Sequence, residues 1–174
     1  MYLVSVYFDE KTNKILQRYI DKIAEVTGND FMTAHNVPPH MTISAIEARD
    51  INCLVPAFNT LASVLNAGTI NVVTVGQILP YVMYCGAVMN DYLLDLSKTV
   101  FAAYKDVPDT FVSKYYQPLS WLPHITLGKT LDKEQMAKAF NVMQESFAPF
   151  TAKVVRIGLA KVNPHEDVAE FELY

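Results

Sequence analysis

Pro39-His40-Met41-Thr42-Ile43 and Pro123-His124-Ile125-Thr126-Leu127 are two copies of one pattern. Both lie in short apolar, β-branched stretches that read as strands. On a strand, residues i and i+2 project from the same face. His40 and Thr42 therefore point together while Met41 and Ile43 turn to the core. His124 and Thr126 repeat this against Ile125 and Leu127. A single histidine on a strand is ordinarily a satisfied structural residue, and a single threonine reflects β propensity. A random order of this composition yields about 0.014 matches to Pro-His-x-Thr. Two occur, 84 positions apart, each with aliphatic residues at the x position and after the threonine.

Working outward, the pattern of the chain predicts strands and helices in the order β-α-β-α-β-β-α-β-α-β-β. Residues 2–8 form an opening strand ended by Asp9-Glu10. Ile15, Tyr19, Ile23 and Val26 recur at helical spacing over 11–26, stopped at Gly28-Asn29. Residues 31–39 read as a loop into the first motif strand, 40–46. A second helix is expected over 50–65, with Asp50 as its cap and Pro56 as a blemish. Strands follow at 69–79 and 81–89, parted at Pro80. A helix over 92–104 is expected to be capped by Asp91. Residues 106–118 read as a loop, with a little strand. The second motif strand runs 122–129, and Asp132 caps a helix to about residue 147. A strand at 151–162, a polar turn at 163–167 and a strand at 168–173 close the chain. The unit at 40–66 echoes the unit at 124–147. This order predicts an α+β fold of mainly antiparallel sheets with helices outside. Residues 1–174 are read as one domain built from two pseudo-repeated halves.

The chain has 174 residues, 51% of them apolar and 18% charged, enough for a sizeable core. Its net charge of −4 disfavours a protein that holds long nucleic acid by phosphate neutralisation. No long duplex is therefore expected as a partner. Cys53 and Cys85 show no CxxC spacing, so a reducing compartment is the default. The first residues lack a basic n-region, and no apolar run approaches the roughly 18 residues of a membrane span. A cytoplasmic protein without a membrane partner is expected, as a monomer.

The paired motifs offer two imidazoles and two hydroxyls. Two histidines with pKa near ~6.5 suit a reaction needing one base and one acid at neutral pH. Two hydroxyls suit the non-bridging oxygens of a phosphoryl group. Together they describe phosphodiester cleavage without a metal, provided the two strands meet across a cleft. One histidine activates water or a ribose hydroxyl, and the other protonates the leaving oxygen. Which does which is open. No His, Cys and carboxylate spacing suggests a metal site, and no cofactor is expected.

The paired His-aliphatic-Thr-aliphatic motifs resemble the two-histidine (2H) phosphoesterase superfamily, in its 2′-5′ RNA ligase-like and cyclic phosphodiesterase branch. The opening strand, the strand–helix echo, Val75-Gly76-Gln77-Ile78 before the mid-chain hairpin, and the final hairpin follow that order. The resemblance implies a bilobal fold with two mainly antiparallel sheets lining a central cleft. It implies metal-free chemistry on 2′,3′-cyclic phosphates, ADP-ribose cyclic phosphate or 2′-5′ linkages, with a nucleotide or RNA end as partner. Hydrolysis is implied, and ligation is the reverse direction. By motif position, His40 and His124 become the catalytic pair and Thr42 and Thr126 the phosphate ligands. Many members follow the first motif with an aromatic residue and Leu-Gly, whereas Ser44-Ala45-Ile46 stands here. Gly128-Lys129 after the second motif keeps the usual glycine plus basic residue.

Four further residues are candidate substrate contacts. Arg156, alternating with Val155 and Ile157, would bring a guanidinium to the cleft face. Tyr7 shares a face with Ser5. Tyr116 and Trp121 crowd the loop before the second motif, where aromatic rings could stack on a base. Lys129 is a weaker phosphate candidate. His35 and His165 read as surface residues. The rival reading is a non-catalytic module that holds a nucleotide or RNA end in the same cleft. A scaffold protein is a third reading, and no exposed amphipathic repeat supports it.

Overall fold

The structure, a computed structural model, describes residues 1–162 and 166–174. Part of the expected final turn, with His165, lies outside the described residues. β1 (Tyr2–Phe8) leads into α1 (Glu10–Thr27). The Asp9 carboxylate accepts the Thr12 amide at the start of α1, and Gly28 closes it at φ 68°, a conformation that favours glycine. The buried stripe of α1 is Leu16, Tyr19, Ile20 and Ile23. Ile15 is only half-buried, and Val26 is exposed. A short helix, α2 (Phe31–Ala34), forms where a loop was expected. β2 (His40–Ala48) carries the first motif.

The helix expected over 50–65 is divided. A one-turn 3-10 helix at Ile51–Cys53 precedes α3 (Val55–Leu61). Asp50 does act as a cap, but of the 3-10 turn, where it accepts the Asn52 amide. Pro56 sits in the first turn of α3, where a missing N–H breaks no helical hydrogen bond. β3 (Gly68–Ile78) and β4 (Val82–Ala87) form the mid-chain hairpin. α4 (Asp91–Tyr104) is capped by Asn90, which accepts from the Leu93 amide, not by Asp91. β5 (Thr110–Val112) is the little strand in the 106–118 loop. β6 (His124–Gly128) carries the second motif. α5 (Lys133–Ser146) begins with a reciprocal pair: Asp132 accepts the Gln135 amide, and the Gln135 side chain accepts the Asp132 amide. β7 (Phe150–Lys161) and β8 (Glu166–Glu172) follow. Glu166 and Asp167, expected in a turn, pair instead with Lys161 and Ala160 as the start of β8.

The expected α+β class with antiparallel pairing is what the chain adopts. Hydrogen-bonded neighbours run β1-β2-β6-β4-β3-β7-β8, and β7 also pairs with β1. The strands therefore close into one antiparallel circuit, which joins the two expected sheets. β5 adds to β2 outside the circuit. One face is apolar. Val4, Val6, Met41, Ile125, Ile157 and Leu159 share a single core with the inward faces of the helices. α1 packs on α2, α5, β6 and β7, and α4 packs on α3, β2, β3 and β5. Burying each such aliphatic side chain contributes about 1.5–3 kcal/mol. No helix among the described residues is long and apolar enough to cross a membrane.

Candidate active site

β2 and β6 are antiparallel neighbours with Met41 opposite Ile125. Both of these side chains are fully buried in the core. Their strand neighbours therefore share the other face. Continuing the register by one residue sets His40 across from Thr126 and Thr42 across from His124. The two motifs thus form an interlocked quartet, with the histidines on a diagonal. On a regular sheet such a diagonal spans about 7–8 Å, a phosphoryl group's reach.

Each imidazole is tied to its own chain in the same way. His40 Nδ1 lies 2.8 Å from the Pro38 carbonyl, and His124 Nδ1 lies 2.8 Å from the Leu122 carbonyl. A carbonyl can only accept, so Nδ1 carries the proton and the basic nitrogen of the neutral ring is Nε2. The accepting carbonyl belongs to the residue before the motif proline in both copies. Proline holds φ near −65° and pushes the residue before it into extended backbone. That gives Pro39 and Pro123 a role in orienting the imidazoles.

Cross-strand neighbours complete the face. Tyr7 pairs with His40 across β1 and β2, with ring centroids 6.3 Å apart. Tyr84 on β4 meets the His124 ring edge-on at 5.7 Å. The two tyrosines reach the histidines from different register positions, Tyr7 opposite His40 and Tyr84 opposite Thr126, and each ring lies close over a glycine. A Cβ on Gly158 would meet the Tyr7 ring at 3.0 Å, and one on Gly76 would meet the Tyr84 hydroxyl at 2.5 Å. A side chain at Gly76 would force the Tyr84 ring to shift, and one at Gly158 would press on the Tyr7 ring.

Thr42 is buried, and its hydroxyl lies 3.4 Å from that of Ser5. Thr126 is half-buried opposite Tyr84. β2 carries an extra residue at Ile43, because Ser5 pairs with Thr42 while Val4 pairs with Ser44. The strict alternation read from sequence therefore ends after Thr42, and Ser44 is buried on the side of Val4.

Arg156 is brought to the face, opposite Tyr7, with its guanidinium 4.5 Å above that ring. It also forms an ion pair with Glu170. Tyr116 is half-buried in a one-turn 3-10 helix, Lys114–Tyr116, that packs on β2. Trp121 is 5% exposed and belongs to the core, where its indole N–H donates to the Thr42 carbonyl at 3.1 Å. It braces the first motif strand from within. Lys129 reaches over the Phe31 ring, and exposed His35 stacks on Phe31. Cys53 and Cys85 are both free thiols. Among the described residues no group of three or more His, Cys, Asp or Glu is placed to hold a metal.

Burial holds the His124 pKa below the usual histidine value of 6.5, partly offset by the Leu122 hydrogen bond. His124 is therefore kept neutral at pH 7. Above pH about 6.5 the folded and unfolded chains are both neutral at this residue. As pH falls below that, the unfolded chain takes up a proton that folded His124 resists, so stability declines. An NMR titration of the His124 ring is expected to show a midpoint below 6.5. A denaturant series is expected to show stability falling on acidification, less steeply in His124→Gln. A midpoint at or above 6.5 would contradict this.

No local signal in the sequence sets Tyr84 beside His124, Ser5 beside Thr42, or Gly76 and Gly158 under the two tyrosine rings. Strand neighbours far apart along the chain leave no local signal.

No protein-family model matches the chain, and no curated protein does. Solved structures do match. A crystal structure described as a phosphoesterase superposes with TM-score 0.69 at 14% identity, covering 99% of this chain and 97% of that one. E. coli LigT complexed with 3′-AMP gives 0.63 at 12% identity, over 99% and 97% of the two chains. E. coli LigT complexed with NADP+ gives 0.58 at 13% identity, over 99% and 96%. At these identities the likeness is one of fold. The chain has the LigT-like two-histidine phosphoesterase fold.

Proposed function

We propose that the chain is a metal-independent phosphodiesterase acting on a 2′,3′-cyclic phosphate or a 2′-5′ linkage at a nucleotide or RNA end. The observation that carries this reading is the quartet. Two imidazoles with the same ring nitrogen bonded to their own strands stand on neighbouring antiparallel strands, whose register from Met41 opposite Ile125 puts each histidine across from a threonine position. A binding site needs donors, whereas a matched pair of imidazoles suits an acid and a base. The motif resemblance and the shared fold support the same class.

In hydrolysis, Nε2 of one histidine takes a proton from water as its oxygen bonds to phosphorus. Nε2 of the other, protonated, gives its proton to the ribose oxygen as the P–O bond breaks. Charge gathers on the non-bridging oxygens, where the Thr42 and Thr126 hydroxyls donate. The product is a phosphomonoester; the first histidine releases the proton it gained to solvent, and the second is reprotonated from solvent. The reverse sequence joins a hydroxyl to a phosphate. The two motif strands, β2 leading to α3 and β6 leading to α5, support the reading of residues 1–174 as one domain of two related halves. The two free thiols fit a reducing, cytoplasmic setting.

The test is phosphorus NMR of purified protein with 2′,3′-cyclic AMP in EDTA, followed by 2′-5′ oligonucleotides. Conversion to one monophosphate isomer, lost in His40→Ala and in His124→Ala, is the expected result. Binding of every substrate without conversion would replace this reading by the non-catalytic module.

A further inference from the structure

The candidate site repeats its histidine and threonine on both motif strands but is asymmetric in charge. On the β4 side, the cross-strand rows end in Tyr84, Gly76, Gly86 and Thr74, none of which bears a carboxylate or a cation. On the opposite side, the rows end in β8. Glu172 lies across from Arg156, and Glu170 lies across from Gly158. Glu170 holds the Arg156 guanidinium, and the Tyr7 hydroxyl donates to Asp167 at 3.2 Å. Charged side chains are ordinary on an edge strand. Here, however, they reach inward along a chain of contacts: Glu170 to Arg156, Arg156 over Tyr7, and Tyr7 beside His40.

Arg156 is the cation that the β7–β8 wall offers to an anion, and Glu170 occupies it. A guanidinium bound to a carboxylate has little attraction left for a phosphate. Glu172, exposed across from Arg156, adds a second negative charge nearby, an effect that salt screens. We propose that Glu170 is a specificity-determining residue: by holding Arg156 it makes the site select nucleotides bearing one phosphate and reject those bearing a second. This rests on the phosphoesterase reading, in which the single phosphate sits at the histidine–threonine quartet. The nucleoside end, with neutral hydroxyl and amine donors, suits a carboxylate-lined wall.

The experiment is calorimetric titration at low ionic strength with 3′-AMP and with adenosine 3′,5′-bisphosphate. The proteins are wild type, Glu170→Gln, Glu172→Gln and the double variant Glu170→Gln/Arg156→Gln. Wild type is expected to bind 3′-AMP about tenfold or more tighter than the bisphosphate. Glu170→Gln is expected to gain about tenfold for the bisphosphate, the scale of a restored charge-assisted hydrogen bond. Glu172→Gln removes the same charge without releasing Arg156 and is expected to gain less. The double variant is expected to lose the gain. Equal wild-type affinity for both ligands overturns the proposal, as does a gain that survives loss of Arg156. Binding of neither ligand overturns it too. Turnover of 2′,3′-cyclic AMP, read on the same samples, separates the two readings. Selectivity with no turnover of this substrate or of the 2′-5′ oligonucleotides supports this proposal and removes the catalytic one, and turnover without selectivity does the reverse.

Discussion

Replacing His40 or His124 by alanine is expected to lower turnover of a cyclic phosphodiester by about 10²–10⁴-fold, the range of one acid or base group. The double variant is expected to be little worse than either single one, because residues acting as a unit are not additive. Asparagine is the sharper substitution. Its amide nitrogen can take the place of Nδ1 and keep the bond to the Pro38 or Leu122 carbonyl. It cannot exchange a proton at the position of Nε2. His40→Asn and His124→Asn are therefore expected to be as inactive as the alanine variants, while unfolding near the wild-type denaturant midpoint. Substantial turnover in either asparagine variant would show that the imidazoles serve shape and not proton transfer. Thr42→Val and Thr126→Val keep the side-chain volume and remove one donor each. The usual loss for such a donor is about 10²–10³-fold.

Trp121→Ala is expected to destabilise the fold by about 3–5 kcal/mol, the cost of emptying a buried aromatic site. The chain has one tryptophan, so wild-type unfolding is followed by its fluorescence and the variants by circular dichroism. Trp121→Phe keeps most of the volume but removes the indole N–H that donates to the Thr42 carbonyl. The loss of one such hydrogen bond costs about 0.5–1.5 kcal/mol. Where the phenylalanine variant remains folded, its KM is expected within about threefold of wild type, because the ring braces β2 and presents no face to a bound base. The sequence reading placed Trp121 among base-stacking candidates. A large rise in KM at unchanged stability would restore that role.

The same contrast runs through the whole chain. The motif strands, the amphipathic first helix, the Gly28 stop and the Asp132 cap were legible because each depends on neighbours within a few residues. Periodicity, capping and turn chemistry are local. Helix boundaries went wrong where local signals competed. Asn90 outbid Asp91 as a cap, and Pro56 started a short helix inside an expected long one. The bulge at Ile43 was invisible, because an extra residue exists only relative to a partner strand.

By itself, the sequence determined which residues share a strand face, and hence that each motif presents one imidazole with one hydroxyl. Alternation along a strand is a property of the backbone. Only the tertiary structure decided that the two motifs are neighbours, with Met41 against Ile125 and the quartet interlocked. It alone set Tyr7 and Tyr84 beside the histidines, drew Trp121 into the core and gave Arg156 to Glu170. Strand order depends on how helices and strands bury their apolar faces together, a property of the whole chain.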